Sequence, residues 1–119
     1  MTERQNLGQR GEMLAKKYLQ KNNYQIIATN HRVKRQEIDI IAKYKTGIIF
    51  VEIKTRIMSA ASQKENPLTA RQVHNLKLAA LTYCHENKIS LEAIHLDLII
   101  ILVNTRKNLA ELKHYRDVF

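Results

Sequence analysis

The sequence predicts an α/β fold in which a mixed central sheet is flanked by helices. Apolar periodicity changes along the chain in the order helix, strand, strand, strand, helix, strand, strand. Two β-branched runs flank a short polar segment in the first half, which is typical of an antiparallel hairpin. A nearly continuous apolar run is then reached from that hairpin through a helix, which indicates a crossover and a parallel neighbouring strand.

Length and charge restrict the class of protein. We expect the 119 residues to form one domain, 1–119, long enough to bury a core without a metal or disulfide. Twenty Lys and Arg against 11 Asp and Glu give a net charge of +9, which favours a polyanionic partner, most simply nucleic acid. The start of the chain has no apolar signal region, and no apolar run is long enough to span a membrane. We therefore expect a cytoplasmic protein with no membrane partner.

The first elements are a helix, a short strand and a basic connection. Leu7–Lys21 carries apolar residues at helical spacing, and Glu12 lies at the edge of that stripe, usually an ordinary boundary position. Tyr24–Asn30 predicts a strand, and the basic segment His31–Arg35 leads on from it. The three fixed cations of this segment are Arg32, Lys34 and Arg35. They either bind a phosphate backbone or form a solvated basic loop.

The central hairpin is predicted from two runs rich in Ile and Val, Glu37–Ala42 and Ile48–Lys54. Between them, Tyr44–Gly47 has the size and chemistry of a four-residue hairpin loop, with its glycine supplying a positive φ. Lys43 and Ile48 would then be the last pair before the loop.

That register places two carboxylates opposite each other on one face of the sheet. Asp39 lies opposite Glu52, with Cβ atoms roughly 4.5–5.5 Å apart, and Lys54 follows on the same face. Two carboxylates at this distance repel, and Mg²⁺ would relieve the repulsion because it requires converging oxygen ligands. Such a group can bind a metal, orient a water and stabilise an anionic transition state. On spacing alone, ordinary ion pairing on the solvent face of a hairpin remains the alternative.

The second half predicts one helix and two strands after a polar segment. Met58–Leu68 has low hydrophobicity and is either a flap over the substrate or a disordered connection. Thr69–Asn87 predicts a helix capped by its threonine, with Cys84 as core filler. His95–Val103 predicts a strand covered on both faces, and Leu109–Phe119 an edge strand.

Several short segments, in order along nearly the whole chain, carry a family resemblance. They are Gly11-Glu12, Asn30-His31-Arg32, Glu37–Ala42, Phe50–Arg56, Leu96-Asp97-Leu98 and Phe119. Together they resemble the YraN-like family of uncharacterised bacterial proteins, and Asp39 with Glu52-Ile53-Lys54 resembles the signature of PD-(D/E)xK nucleases. The resemblance implies a restriction-endonuclease-like αβββαβ core with a mixed central sheet flanked by helices, related to archaeal Holliday junction resolvases. Gln36 departs from the family, which usually has a glycine there.

The resemblance also implies residue roles. The implied catalytic residues are Asp39, Glu52 and Lys54. The implied metal ligands are Asp39, Glu52, Glu12 and the carbonyl of Ile53, holding Mg²⁺ or alternatively Mn²⁺. The expected contacts to nucleic acid are Arg32, Lys34, Arg35, Arg56, Arg71 and Gln72, the last standing where the family more often has a lysine.

These features predict a Mg²⁺-dependent endonuclease acting on structured or duplex DNA. One alternative is a nucleic-acid-binding module that keeps the fold without cleaving its ligand. Another is a structural partner in a larger DNA-processing complex, whose basic face binds an acidic protein. A homodimer stays open, because junction-cleaving members of the superfamily form pairs.

Overall fold

In the computed structural model, residues 2–59 and 68–118 are described, and their helices and strands follow the predicted order. The helices are α1 (Glu3–Lys21) and α2 (Ala70–Glu86), and the strands are β1 (Gln25–Val33), β2 (Gln36–Tyr44), β3 (Gly47–Ile57), β4 (Ile94–Asn104) and β5 (Leu109–Tyr115). The strands form one sheet in the order β1-β2-β3-β4-β5. Only the β3–β4 pair among these is parallel. The predicted fold, a mixed sheet flanked by helices with restriction-endonuclease-like element order, is confirmed.

Two predictions fall wholly or mainly outside the described part of the chain. The flap or disordered connection predicted over Met58–Leu68 lies mostly on residues 60–67, and the terminal Phe119 of the family resemblance also lies outside.

Helix α1 begins earlier than predicted and ends at the predicted residue. It starts at Glu3 rather than Leu7 because Thr2 and Gln5 form a capping box. The Thr2 hydroxyl accepts a hydrogen bond from the Gln5 backbone at 3.1 Å, and the Gln5 side chain accepts one from the Thr2 backbone at 3.0 Å. Two donors at the helix start are thereby satisfied, so the polar first turn is helical despite lacking apolar residues.

The central hairpin has the predicted register but a different turn. Lys43 pairs with Ile48 as predicted, and the next pair, Tyr44 with Gly47, leaves a loop of only two residues. The predicted four-residue loop is therefore wrong, and so is the role of its glycine. Lys45 adopts the positive φ, at 54°, whereas no glycine among the described residues has one. Gly47 is instead buried in β3.

Both edge strands differ in length from the prediction. β1 continues three residues beyond the predicted Asn30 and ends at Val33, so the basic connection shrinks to a tight turn at Lys34-Arg35. β5 ends at Tyr115 rather than at Phe119 because side-chain hydrogen bonds draw the following residues away from the strand direction. The backbone N–H of Asp117 donates to the Asp97 carboxylate at 3.0 Å.

The sheet is covered by one helix on each face, which produces two apolar layers. The α1 layer contains Ala15, Leu19, Ile40, Val51, Ile53, Ile99 and Ile101. The α2 layer contains Ile41, Phe50, Leu76, Ala80, Tyr83 and Cys84. Cys84 is fully buried, as its predicted role of core filler requires, and β4 is buried on both faces through most of its length. Across the described ranges, no helix is long and apolar enough to cross a membrane.

Candidate functional site

The predicted carboxylate pair lies where β2 and β3 stop pairing through their backbones. The last backbone pair of this ladder is Ile40 with Val51, and the same register continued by one residue sets Asp39 against Glu52. At this point the Asp39 carboxylate Oδ2 accepts the backbone N–H of Ile53 at 2.8 Å, a bond that a strand backbone would otherwise supply. Because the N–H and C=O of one strand residue point to the same edge, the Ile53 carbonyl is directed to the Asp39 side as well.

The electrostatics of the pair indicate two carboxyl groups that share a buried site. Burial raises the pKa of Asp39 to about 7, with further contributions from the negative charges of Glu52 and Glu12. Burial also raises the pKa of Glu52. Hydrogen bonds from Lys54 and Asp39 partly oppose this rise. Lys54 Nζ lies 3.2 Å from Glu52 Oε1, and the two side chains are 17% and 19% exposed, respectively. The lysine therefore neutralises only part of the negative charge.

A glycine lets α1 bring Glu12 toward this site. A Cβ built at Gly11 would overlap the hydroxyl of Thr55 on β3, so only glycine permits this close approach of helix and strand. Glu12 follows directly, and its charge raises the pKa of both Asp39 and Glu52. The structure thus brings the predicted first-helix glutamate within the electrostatic field of the carboxylate pair.

The donor set fits a hard divalent cation held by two carboxylates. No group of three or more His, Cys, Asp or Glu side chains within residues 2–59 and 68–118 is arranged to hold a metal ion. The available ligands are therefore Asp39, Glu52 and the Ile53 carbonyl, with Glu12 outside the immediate group. Mg²⁺ is commonly bound by one or two carboxylates and completes its coordination with water and substrate phosphate. A cation would also compensate the negative charge that burial disfavours on both carboxyl groups.

Helix α2 contributes polar groups to a small cavity beside Glu52. The cavity has a volume of about 180 Å³. Its polar lining comes from Gln36, Glu37, Glu52, Gln72 and Asn75. The structure places the predicted residue Gln72 at this cavity, although its side-chain oxygen also accepts the Thr69 backbone N–H at 2.9 Å as part of a capping box.

Asn75 is a residue that the sequence analysis missed. It lies three positions after Gln72 and hence on the same side of the helix, so the i, i+3 spacing was the available signal. Gln36 was noted only as a departure from the family, whereas strand alternation predicts that Glu37 shares a face with Asp39 and leaves open whether it supports that residue or pairs with Arg35. Their shared cavity depends on the packing of α2 against the hairpin.

The predicted basic residues lie on segments that meet at one end of the sheet. We call this the carboxylate end; it is where β3 and β4 terminate and β2 begins. Arg32 lies close to the end of β1, and Lys34 and Arg35 form the β1–β2 turn. Arg56 lies near the end of β3, and Arg71 lies in the first turn of α2. All except Arg56 are exposed. A polyanion approaching the carboxylates would therefore meet positive charge on several sides.

Two further cations at this end were missed. Arg106 and Lys107 lie in the β4–β5 turn, where the Asn104 side chain accepts their backbone N–H groups at 3.1 and 3.2 Å. The available signal was the basic pair in a short polar turn between two strands. Parallel pairing of β4 with β3 decides that this turn lies at the carboxylate end.

Asp97, a residue of the family resemblance, has a structural role on the other face of the sheet. It is 2% exposed, and its Oδ2 accepts a hydrogen bond from His114 Nε2 at 2.7 Å. The second carboxylate oxygen accepts the Asp117 backbone N–H, and the Tyr18 hydroxyl lies 2.9 Å from His114 Nδ1. Asp97 therefore ties β5 and the segment after it to β4 and α1.

Comparison with known proteins gives consistent matches over most of the chain. The model of "Uncharacterised protein family UPF0102" matches residues 11–101. A UPF0102 protein of Syntrophomonas wolfei is 35% identical over 102 residues, which are 86% of this chain and 89% of that protein. One from Christiangramia forsetii is 33% identical over 119 residues, covering 100% of this chain and 98% of that protein. One from Desulfosudis oleivorans is 34% identical over 112 residues, covering 94% and 89%.

Proposed function

This chain belongs to the uncharacterised protein family UPF0102, which is the YraN-like family, and from that premise we propose that it is a metal-dependent endonuclease. Its substrate would be structured or duplex DNA. Family membership by itself names no activity, so the proposal depends on the residues of this chain.

The observation that carries the proposal is the close placement of the Asp39 and Glu52 carboxyl groups. The fold holds Asp39 and Glu52 against each other at a cost, because burial and mutual repulsion raise the pKa of Asp39 to about 7. Perturbed carboxyl groups of this kind are concentrated at functional sites. Lys54 adds a cation next to Glu52, at 3.2 Å. A purely structural ion pair would need only one of the two acids.

The proposed chemistry assigns each group a separate task. Bound Mg²⁺, or Mn²⁺, would supply the positive charge that draws electrons from the scissile phosphodiester. Asp39, Glu52 and the Ile53 carbonyl would hold that cation. Lys54 would orient the attacking water by hydrogen bonding and stabilise the negative charge that develops on the phosphate oxygens.

Binding of DNA would come from the basic residues of the carboxylate end. Among the described residues, the cations of this region include Arg32, Lys34, Arg35, Arg56, Arg71, Arg106 and Lys107. Their charges would contact the backbone phosphates on either side of the scissile bond, which positions the DNA without reading its sequence. Gln72 would add a neutral hydrogen-bonding group from α2. We expect affinity to fall steeply with salt.

The test is a cleavage assay on labelled linear, nicked, flap, four-way-junction and single-stranded DNA, with Mg²⁺, Mn²⁺ or EDTA. We expect metal-dependent cutting that Asp39→Ala and Lys54→Ala each abolish. Glu92→Ala is the matched control, because Glu92 is an exposed acid in the short 3₁₀ helix Leu91–Ala93 before β4, remote from the carboxylate end. Cutting at the wild-type level by either variant, with folding verified by circular dichroism, would remove that residue from catalysis.

A second candidate function is a nucleic-acid-binding module without cleavage. It is favoured by the finding that no third acidic side chain joins the pair in the described part of the chain. A binder of this kind would show salt-dependent affinity that neither EDTA nor the Asp39 substitution changes. The same set of proteins, assayed for binding alongside cleavage, therefore separates the two candidates.

A further inference from the structure

The cavity between α2 and the central hairpin has a composition that the metal centre does not explain. Three carboxamides, Gln36, Gln72 and Asn75, face a volume of about 180 Å³ together with Glu37 and Glu52. The Asn75 side chain makes no hydrogen bond to any described residue although it is half-buried. Glu52 belongs both to this cavity and to the carboxylate pair, so the occupant of the cavity would lie next to the scissile phosphate.

The size of the cavity suits a single ring system. A cavity of about 150 Å³ is sufficient for a benzene ring. The observed volume of about 180 Å³ therefore accepts one heterocyclic base but not a complete nucleotide. Leu76 and Ala79 form an apolar part of the lining, which suits the face of a ring.

The chemistry of the lining also favours a base over a phosphate. Two carboxylates, Glu37 and Glu52, would repel a phosphate group that entered the cavity. Carboxamides instead pair with the edges of bases, and carboxylates accept hydrogen bonds from exocyclic amino groups. Adenine, which presents an amino donor beside a ring acceptor, matches a carboxamide such as Asn75.

We propose that this cavity binds an unpaired base of the substrate, one that carries an exocyclic amino group, next to the cleavage site. The inference rests on the proposed function, since it assigns the substrate of the same centre. A base inside a duplex is stacked and paired, so it enters such a cavity only after leaving the helix. The energetic cost of extrusion is smallest where the base is already unpaired. The protein would therefore select DNA with an unpaired nucleotide beside the scissile bond.

The experiment measures binding by fluorescence anisotropy, using the Asp39→Asn variant with Mg²⁺ so that cleavage does not interfere. The probes are one duplex with a single bulged adenine, the same duplex with an abasic residue at the bulge, and the fully paired duplex. We expect the bulged adenine to bind at least about tenfold more tightly than the abasic bulge. Adding Asn75→Ala should reduce this ratio to below about threefold. Adding His74→Ala, an exposed neighbour on α2, should leave it unchanged.

A second variant and a second signal protect the test against a folding artefact. Asn75→Leu keeps a side chain of similar size but removes its hydrogen-bonding groups, and should also reduce the ratio. With 2-aminopurine at the bulge, fluorescence should rise on binding, because none of the described residues lining the cavity is aromatic and the base loses its stacking partners. A ratio near one in the parent protein, or a ratio in both Asn75 variants as high as in the parent protein, would overturn the inference.

The outcomes also separate this inference from the nuclease proposal. Wild-type protein that never cuts DNA, but whose Asp39→Asn form retains the adenine preference, would refute the nuclease and leave the base site standing. Wild-type protein that cuts all substrates equally, with an adenine-to-abasic ratio near one, would support the nuclease and refute the base site.

Discussion

The most informative perturbation is Asp39→Asn, because it removes one charge and little else. Asparagine has almost the same shape, and its side-chain oxygen can still accept the Ile53 N–H that Asp39 now accepts at 2.8 Å. What disappears is the carboxylate whose burial and whose repulsion by Glu52 raise its pKa. Without a metal, this charge opposes folding, so we expect the variant to be more stable than the wild type at neutral pH.

The magnitude follows from the difference between the folded and unfolded pKa. Asp39 titrates near 7 in the folded protein and near 3.8 in an unperturbed chain. A folded pKa above the unfolded value means that the native state holds its proton longer, so wild-type stability falls as pH rises from about 4 to about 8. At 1.36 kcal/mol per pH unit, the loss is roughly 1–2 kcal/mol at pH 5 and on the order of 4 kcal/mol at pH 8.

The assay is urea unfolding of wild type and Asp39→Asn in EDTA at pH 5 and pH 8. Comparing the two proteins at each pH cancels the titration of groups that do not interact with Asp39. We expect the stability advantage of the variant to grow by about 2–3 kcal/mol between these pH values. Mg²⁺ at pH 8 should stabilise the wild type by mass action and the variant much less.

An advantage that stays constant or shrinks with rising pH would refute the electrostatic description of the site. A control variant, Glu92→Gln, removes an exposed carboxylate and should show no comparable dependence on pH. If Mg²⁺ stabilised wild type and Asp39→Asn equally, Asp39 would be excluded as a metal ligand.

Three further predictions concern packing, a buried hydrogen bond and the nucleic-acid surface. Gly11→Ala should lower the free energy of unfolding in urea by about 1–3 kcal/mol, because its methyl group meets a β3 side chain. Gly8→Ala, with open space around it, should leave that free energy unchanged or raise it. Asp97→Asn should cost about 2–4 kcal/mol in the same assay, since it weakens the buried bond to a histidine; no loss would refute its structural role. Lys34→Ala should reduce the slope of log K against log salt by about 1 in DNA binding, and Lys88→Ala, beyond the end of α2, should leave it unchanged.

The sequence predicted the type and order of the elements well because most are specified locally. The alternation of apolar residues identifies the strands, and the Thr69 cap with helical spacing identifies α2. Errors occurred where the boundary of an element is set by side-chain hydrogen bonds or by the length of a turn, and not by the spacing of apolar residues. The capping box at Thr2 begins α1 within a polar segment. The positive φ of the hairpin turn is adopted by Lys45 rather than by glycine, because the two-residue loop places it there.

The sequence alone thus determined the hairpin register, which continued by one residue sets Asp39 against Glu52, since strand alternation is a local property. Only the tertiary structure decided what surrounds that pair. The approach of Glu12 depends on contact between Gly11 and Thr55, and the Asn75 cavity depends on the packing of α2. Arg106 and Lys107 reach the carboxylate end because β4 runs parallel to β3. Such contacts join residues that are distant in sequence, and local propensity carries no information about them.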